Sequence, residues 1–108
     1  LHECPYSDGN YAPGYSYLRL PFKAWGATAV FCAHDHNYQR FIVDGLNYVL
    51  VGTGGAELQS ISATHQDAYQ AGRDDIFGYL SLEIDPFNAS IKFVGVDDST
   101  FDPFIIST

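Results

Sequence analysis

Thr28 to Ala33 is a short apolar run, partly β-branched, in which hydrophobic residues follow one another instead of alternating with polar ones. A strand of that kind has no wet face, so it is expected at the centre of a sheet covered on both sides. Upstream, Leu18, Phe22 and Trp25 recur at i, i+4 and i+7, with Pro21 suited to a first helical turn and Gly26 to a C-terminal cap. That spacing predicts a short amphipathic helix over 18–25. Residues 3–16, dense in Pro, Gly, Ser, Asn, Asp and Tyr, read as a long ordered loop after a strand that ends at Leu1 and His2. Loop, helix and buried strand in this order form a crossover unit, which implies parallel pairing.

Beyond residue 40 alternation takes over. Phe41 to Val43 and Leu46 to Val51 flank Asp44-Gly45, which predicts a tight hairpin. Leu80, Leu82 and Ile84 alternate with Ser81 and Glu83, as Ile91 and Phe93 do with Ser90 and Lys92. These predict a second hairpin with one wet face, turning at 85–88. Residues 56–76 carry little periodicity and read as loop with one helical turn near 67–71. No repeat or linker interrupts the chain, so one continuous unit is expected.

Composition narrows the function. With 46% hydrophobic and 17% charged residues the chain is not disordered as a whole. Its apolar runs fall far short of the roughly 20 residues that span a bilayer. Five Lys and Arg against thirteen Asp and Glu leave a net charge of −8, so binding along a nucleic-acid backbone is not expected. An anionic substrate would need a local cation. Without any methionine, the sequence is expected to begin within a longer product. Cys4 and Cys32 make neither a disulfide framework nor a C-x-x-C pair and are expected as small buried side chains. Asn88-Ala89-Ser90 fits the glycosylation sequon, which matters only in a secreted protein.

The chemistry concentrates in Ala33-His34-Asp35-His36-Asn37-Tyr38, directly after the apolar strand, where ligand-bearing loops of α/β sheets emerge. In an extended backbone His34 and His36 project to one side and Asp35 to the other. Two imidazoles on one side serve one metal or two neighbouring ones, with Asp35 orienting groups around them. His2, at the end of the preceding strand, converges on His34 if the two strands are parallel neighbours. His65 stands in an irregular stretch and is assigned no role. Three nitrogen ligands do not complete a hydrolytic site, because a close metal pair needs bridging and further oxygen ligands; these are expected upstream of Leu1.

Three segments together, His2-Glu3-Cys4-Pro5-Tyr6-Ser7-Asp8-Gly9, Ala33-His34-Asp35-His36-Asn37-Tyr38-Gln39-Arg40 and Gly52-Thr53-Gly54-Gly55-Ala56, resemble the second half of the calcineurin-like metallophosphoesterase superfamily, most closely its purple acid phosphatase-like branch. The resemblance is strong over 1–56 and weak over the C-terminal hairpins. It implies an α/β fold, the C-terminal half of an αββα four-layer sandwich, with residues 1–108 as part of a catalytic domain whose N-terminal half is absent. It implies that His2 and His34 bind one metal and His36 the other, the pair being Fe, Zn or Mn, and that Asp35 stands behind them. Hydrolysis of phosphomonoesters follows as the expected activity, with a phosphodiesterase of the same fold as the alternative. Tyr11 stands where many members carry a histidine that protonates the leaving group, and a phenol is the poorer donor near neutrality. A further alternative is a non-catalytic module in which the histidines hold a structural Zn²⁺ with Cys4 as a fourth ligand.

Overall fold

Asp44 and Gly45 both adopt positive φ, 52° and 78°, the geometry that closes a two-residue hairpin with the twist its strands require. Around them β2 (Tyr38–Val43) and β3 (Leu46–Val51) pair antiparallel from Val43 opposite Leu46 to Tyr38 opposite Val51. The computed structural model describes residues 1–107. A strand β1 (Ala29–Cys32) runs parallel to β3, and β4 (Tyr69–Arg73) pairs antiparallel with β2, giving the order β1-β3-β2-β4. A second sheet follows, an antiparallel meander of β5 (Gly78–Ile84), β6 (Asn88–Gly95) and β7 (Thr100–Ser107). Both hairpins expected from alternation are present.

The register sorts the side chains into layers. On one face of the first sheet Val30, Phe41, Leu46 and Tyr48 form a core with Tyr6 and Phe22 of the N-terminal segment packed onto it. Tyr38 and Val49 point to the opposite face, where they meet Phe93, Leu80, Phe101 and Phe104 of the second sheet. β3 is therefore the strand covered on both sides, with Tyr48, Val49 and Leu50 all buried. This corrects the expectation for Thr28 to Ala33: β1 lies at the rim, Leu1 and His2 run along its outer side, and Phe31 is partly open.

No α-helix forms over 18–25. The chain makes a 3-10 turn at Ser16–Leu18 and a single further turn in which Trp25 N–H bonds the carbonyl of Pro21, ending at Gly26 with φ of 90°. Between Pro21 and Gly26 there is room for too few backbone bonds to offset helix nucleation, and Trp25 is 66% exposed instead of buried. Residues 67–71, expected as a helical turn, lead into β4. That strand, Tyr69–Arg73, takes in 69–71 and has no fully buried residue to mark an apolar face. β7 contains Pro103 and was hidden for that reason: two residues, Asp102 and Pro103, stand against Lys92 where the register shifts, and Asp102 has φ of 51°.

The bulge aims Asp102 between the sheets. Its carboxylate accepts bonds from Arg40 Nε (2.7 Å) and Nη2 (2.9 Å) and from the Tyr38 hydroxyl (2.7 Å). Cys4 and Cys32 are buried as expected but not separate, for they are joined in a disulfide. Leu1 and His2 beside β1 bring Cys4 against the end of that strand, and two cysteines 28 residues apart give no sign of this in their spacing. Among the described residues no helix is long and apolar enough to cross a membrane.

Candidate metal centre

The rim where β1 ends is built by backbone pairing. The Leu1 ammonium donates to the Phe31 carbonyl (2.9 Å) and Ala33 N–H to the His2 carbonyl (2.9 Å), so His2 sits beside Ala33 and His34. At His34 the chain turns sharply: φ is 72° and Asp35 N–H bonds back to the Ala33 carbonyl (2.9 Å). A γ-turn of this hand at a residue with a Cβ is rare and strained. It swings the imidazole toward His2. His2 Nε2 and His34 Nδ1 are 3.0 Å apart, with ring centroids separated by 4.8 Å. The first of these is a hydrogen-bond separation, and it also falls within the about 2.8–3.4 Å that separates two nitrogens bound to one ion at about 2.0–2.1 Å.

His36 does not join that pair as an extended backbone would have it, because residues 34–37 are bent, not extended. Its Nδ1 donates to the Glu57 carbonyl (2.7 Å) and its backbone N–H to Gln59 Oε1 (3.1 Å). The first bond assigns the ring proton to Nδ1 and leaves the Nε2 lone pair free, the usual way a ligand imidazole is oriented. Among the described residues no three His, Cys, Asp or Glu side chains gather as a metal cage.

Beneath the histidines lies a buried polar bed. Asp35 is buried and accepts from the Ser7 hydroxyl and from Asn10 N–H (2.9 Å). Gln39 ties the same loop down by accepting from Asp8 N–H (2.7 Å) and donating to Asn37 Oδ1 (2.9 Å). Every buried side-chain polar atom among the described residues has a partner. Gly52 closes the bed from the β3 side, its missing Cβ making room for the Asp35 carbonyl.

Aromatic rings wall the pair. Tyr11 lies over His34 with centroids 4.1 Å apart, and Tyr15 stands 6.1 Å from the same ring. Tyr17 donates to Glu3 (2.9 Å), which is the chief reason the Glu3 carboxyl titrates below its ordinary range and the Tyr17 phenol above its own. His65, assigned no role from the sequence, has partners after all. Its Nδ1 is 3.2 Å from Asp8 Oδ2 and its ring stacks on Tyr69 at 3.8 Å. Arg40 serves Asp102 between the sheets and does not reach the rim.

The model of the family described as iron/zinc purple acid phosphatase-like protein C matches residues 45–103, rather more than half of the chain. The chain belongs to that family. The match runs from β3 through β4, β5 and β6 into the start of β7, mostly beyond the strong part of the motif resemblance, and leaves the segments of His2, His34 and His36 outside it. No curated protein matches the sequence. Among solved structures the chain is similar to the purple acid phosphatase PPD1 isolated from yellow lupin (Lupinus luteus) seeds, with a TM-score of 0.83 and 20% identity. That alignment takes in 98% of this chain but 24% of the lupin chain. The two sheets are thus a C-terminal piece of the purple acid phosphatase fold, as the resemblance implied, although this piece contributes no α-helix among its described residues. Cys4, engaged in the disulfide, is not available as a fourth zinc ligand.

Proposed function

We propose that this chain forms one wall of a dinuclear metal centre that hydrolyses phosphomonoesters, the remaining ligands coming from an N-terminal half of the same protein. One observation carries the reading: His2 Nε2 and His34 Nδ1 face each other at 3.0 Å at the rim of the sheet, the second held there by a strained backbone turn. In this reading His2 and His34 bind one cation and His36, through Nε2, the other. Iron, zinc or manganese held as such a pair supplies Lewis acidity toward the phosphoryl group and acidifies water.

The chain's own groups do the positioning. Asp35 and Gln39 fix the loop that carries Tyr11, and Tyr11 holds the His34 ring by lying on it. Arg19, Lys23, Arg40 and Arg73 are all engaged with protein oxygens. On a chain of charge −8, attraction for a phosphate falls to the cations. A tyrosine at position 11, where the resemblance implies a histidine, favours as the second reading a diester, whose leaving group depends less on protonation.

Elemental analysis of the full-length protein with its turnover of aryl phosphate and bis-aryl phosphate tests both readings. His34→Ala should remove about half of the bound metal and lower kcat/KM at least about 100-fold. Unchanged metal content and turnover in that variant would sink the proposal. The 108-residue chain alone, given Mn²⁺ or Zn²⁺, should show no turnover.

A further inference from the structure

Two features that the hydrolase reading leaves unused belong together. The Cys4–Cys32 disulfide is a bond of oxidising compartments, rare in chains kept among cytosolic thiols. In such a compartment the sequence Asn88-Ala89-Ser90 becomes an acceptor for sugar. The fold puts this acceptor at a surface turn, with Asn88 half-buried and Ser90 exposed. Asn88 begins β6 at the hairpin turn, where Asp85 Oδ1 accepts its backbone N–H (2.8 Å) and its carbonyl accepts Asp85 N–H (2.9 Å). By alternation Asn88 shares a face with Ser90 and Lys92, opposite to that of Ile91 and Phe93, which are buried against the first sheet.

The same face has room and the right surfaces for a pyranose. A groove of about 280 Å³ opens there between Ser81, Glu83, Ser90, Lys92, Pro103 and Ile105, mixing polar groups with an apolar floor. Phe87, immediately before Asn88, is 76% exposed and offers an uncovered ring to the C–H groups of a first sugar. Ile84, on the other side of the turn, is 71% exposed. An apolar hairpin tip of this kind would be shielded by a glycan.

We propose that Asn88 is an N-glycosylation site. The bond formed joins Asn88 Nδ2 to the anomeric carbon of an N-acetylhexosamine. The bond broken joins that carbon to the diphosphate of a lipid-linked oligosaccharide, which departs as the lipid diphosphate while Nδ2 loses a proton. The site stands whether or not the histidines hold metal.

The test expresses the full-length gene product in a eukaryotic secretory host and weighs the peptide spanning Asn88 before and after peptide N-glycosidase. The peptide should carry hexosamine and hexose mass before digestion and aspartate in place of Asn88 after it. Asn88→Gln and Ser90→Ala should each abolish the modification, whereas Ser90→Thr should keep it, because either hydroxyl completes the acceptor. Transfer precedes folding, so the intracellular pool is read for any variant that is not secreted. A bare Asn88 in both the parent protein and Ser90→Thr would overturn the proposal.

Discussion

A methyl group added at Gly52 would overlap the carbonyl oxygen of Asp35, which is backbone and cannot rotate aside. Gly52→Ala therefore has to push apart the end of β3 and the turn that carries His34 and His36. Overpacking of this kind costs about 1–3 kcal/mol. The full-length variant should unfold at lower urea concentration and bind metal more weakly, whereas Gly54→Ala, with open space around it, should do neither; equal effects from both would show that crowding at Asp35 is not the cause. Single residues were unevenly legible in the sequence. His2 and His34 could be brought together because both stand at strand ends. The same adjacency places Cys4, two residues after His2, against Cys32, two before His34, yet a pair of cysteines without a motif draws attention to neither. The contact of His65 with Asp8 spans 57 residues, and only the closed fold brings it about.

Between the two sheets a single carboxylate does most of the polar joining. The Arg40 and Asp102 side chains are 13% and 10% exposed, against 27% and 65% for Arg73 and Asp75. Removing the charge from a mostly buried pair strands its partner at a cost of about 3–5 kcal/mol, while an exposed pair contributes about 1 kcal/mol or less. Asp102→Asn should thus destabilise the protein far more than Asp75→Asn by urea titration, and comparable losses would contradict the buried clamp. The same node carries a pH signature. Burial, and next the Asp102 carboxylate, push the Tyr38 phenol far above its ordinary value of 10. Above pH 10 the folded state then keeps a proton that the unfolded state releases, so this contribution is whole below pH 10 and lost as pH rises beyond it. Tyr38→Phe should flatten the alkaline fall in stability, although burial at Tyr48 and Tyr69 leaves part of the slope in place. An unchanged profile would remove Tyr38 from the account. At this scale alternation and the Asp-Gly turn revealed both hairpins. β4 and β7 stayed hidden because one has no fully buried residue to mark an apolar face and the other carries a proline in a bulge.

Across the whole molecule the least regular segment packs Tyr6 and Phe22 onto one face of the first sheet. Residues 3–28 contain one 3-10 turn and no strand, so their order comes from backbone turn bonds, among them Tyr15 N–H to the Cys4 carbonyl (2.9 Å) and Ser7 N–H to the Pro13 carbonyl (3.2 Å), and from side chains: Arg19 bonding the carbonyls of Pro5 (2.9 Å) and Pro13 (3.0 Å), the bed around Asp35, and the disulfide. This is why residues 3–16 could be read from composition as an ordered loop without their path being legible, while 18–25 read as a helix that does not form. Cys4 and Cys32 stand 28 residues apart, and closing a loop of that length is worth about 3–4 kcal/mol through the unfolded state. The bridge also pins the segment that carries His2 beside β1, which leads to His34. Reduction of the full-length protein should therefore lower its stability by about 2–4 kcal/mol and weaken metal binding together. Two liberated thiols are themselves good metal ligands, so reduction alone leaves the second effect ambiguous. The Cys4→Ala, Cys32→Ala double variant removes both the bridge and the thiols. It should show the same loss of stability and an equal or greater loss of metal affinity; retention of full affinity would mean that backbone pairing at Phe31 and Ala33 suffices to hold the two imidazoles together.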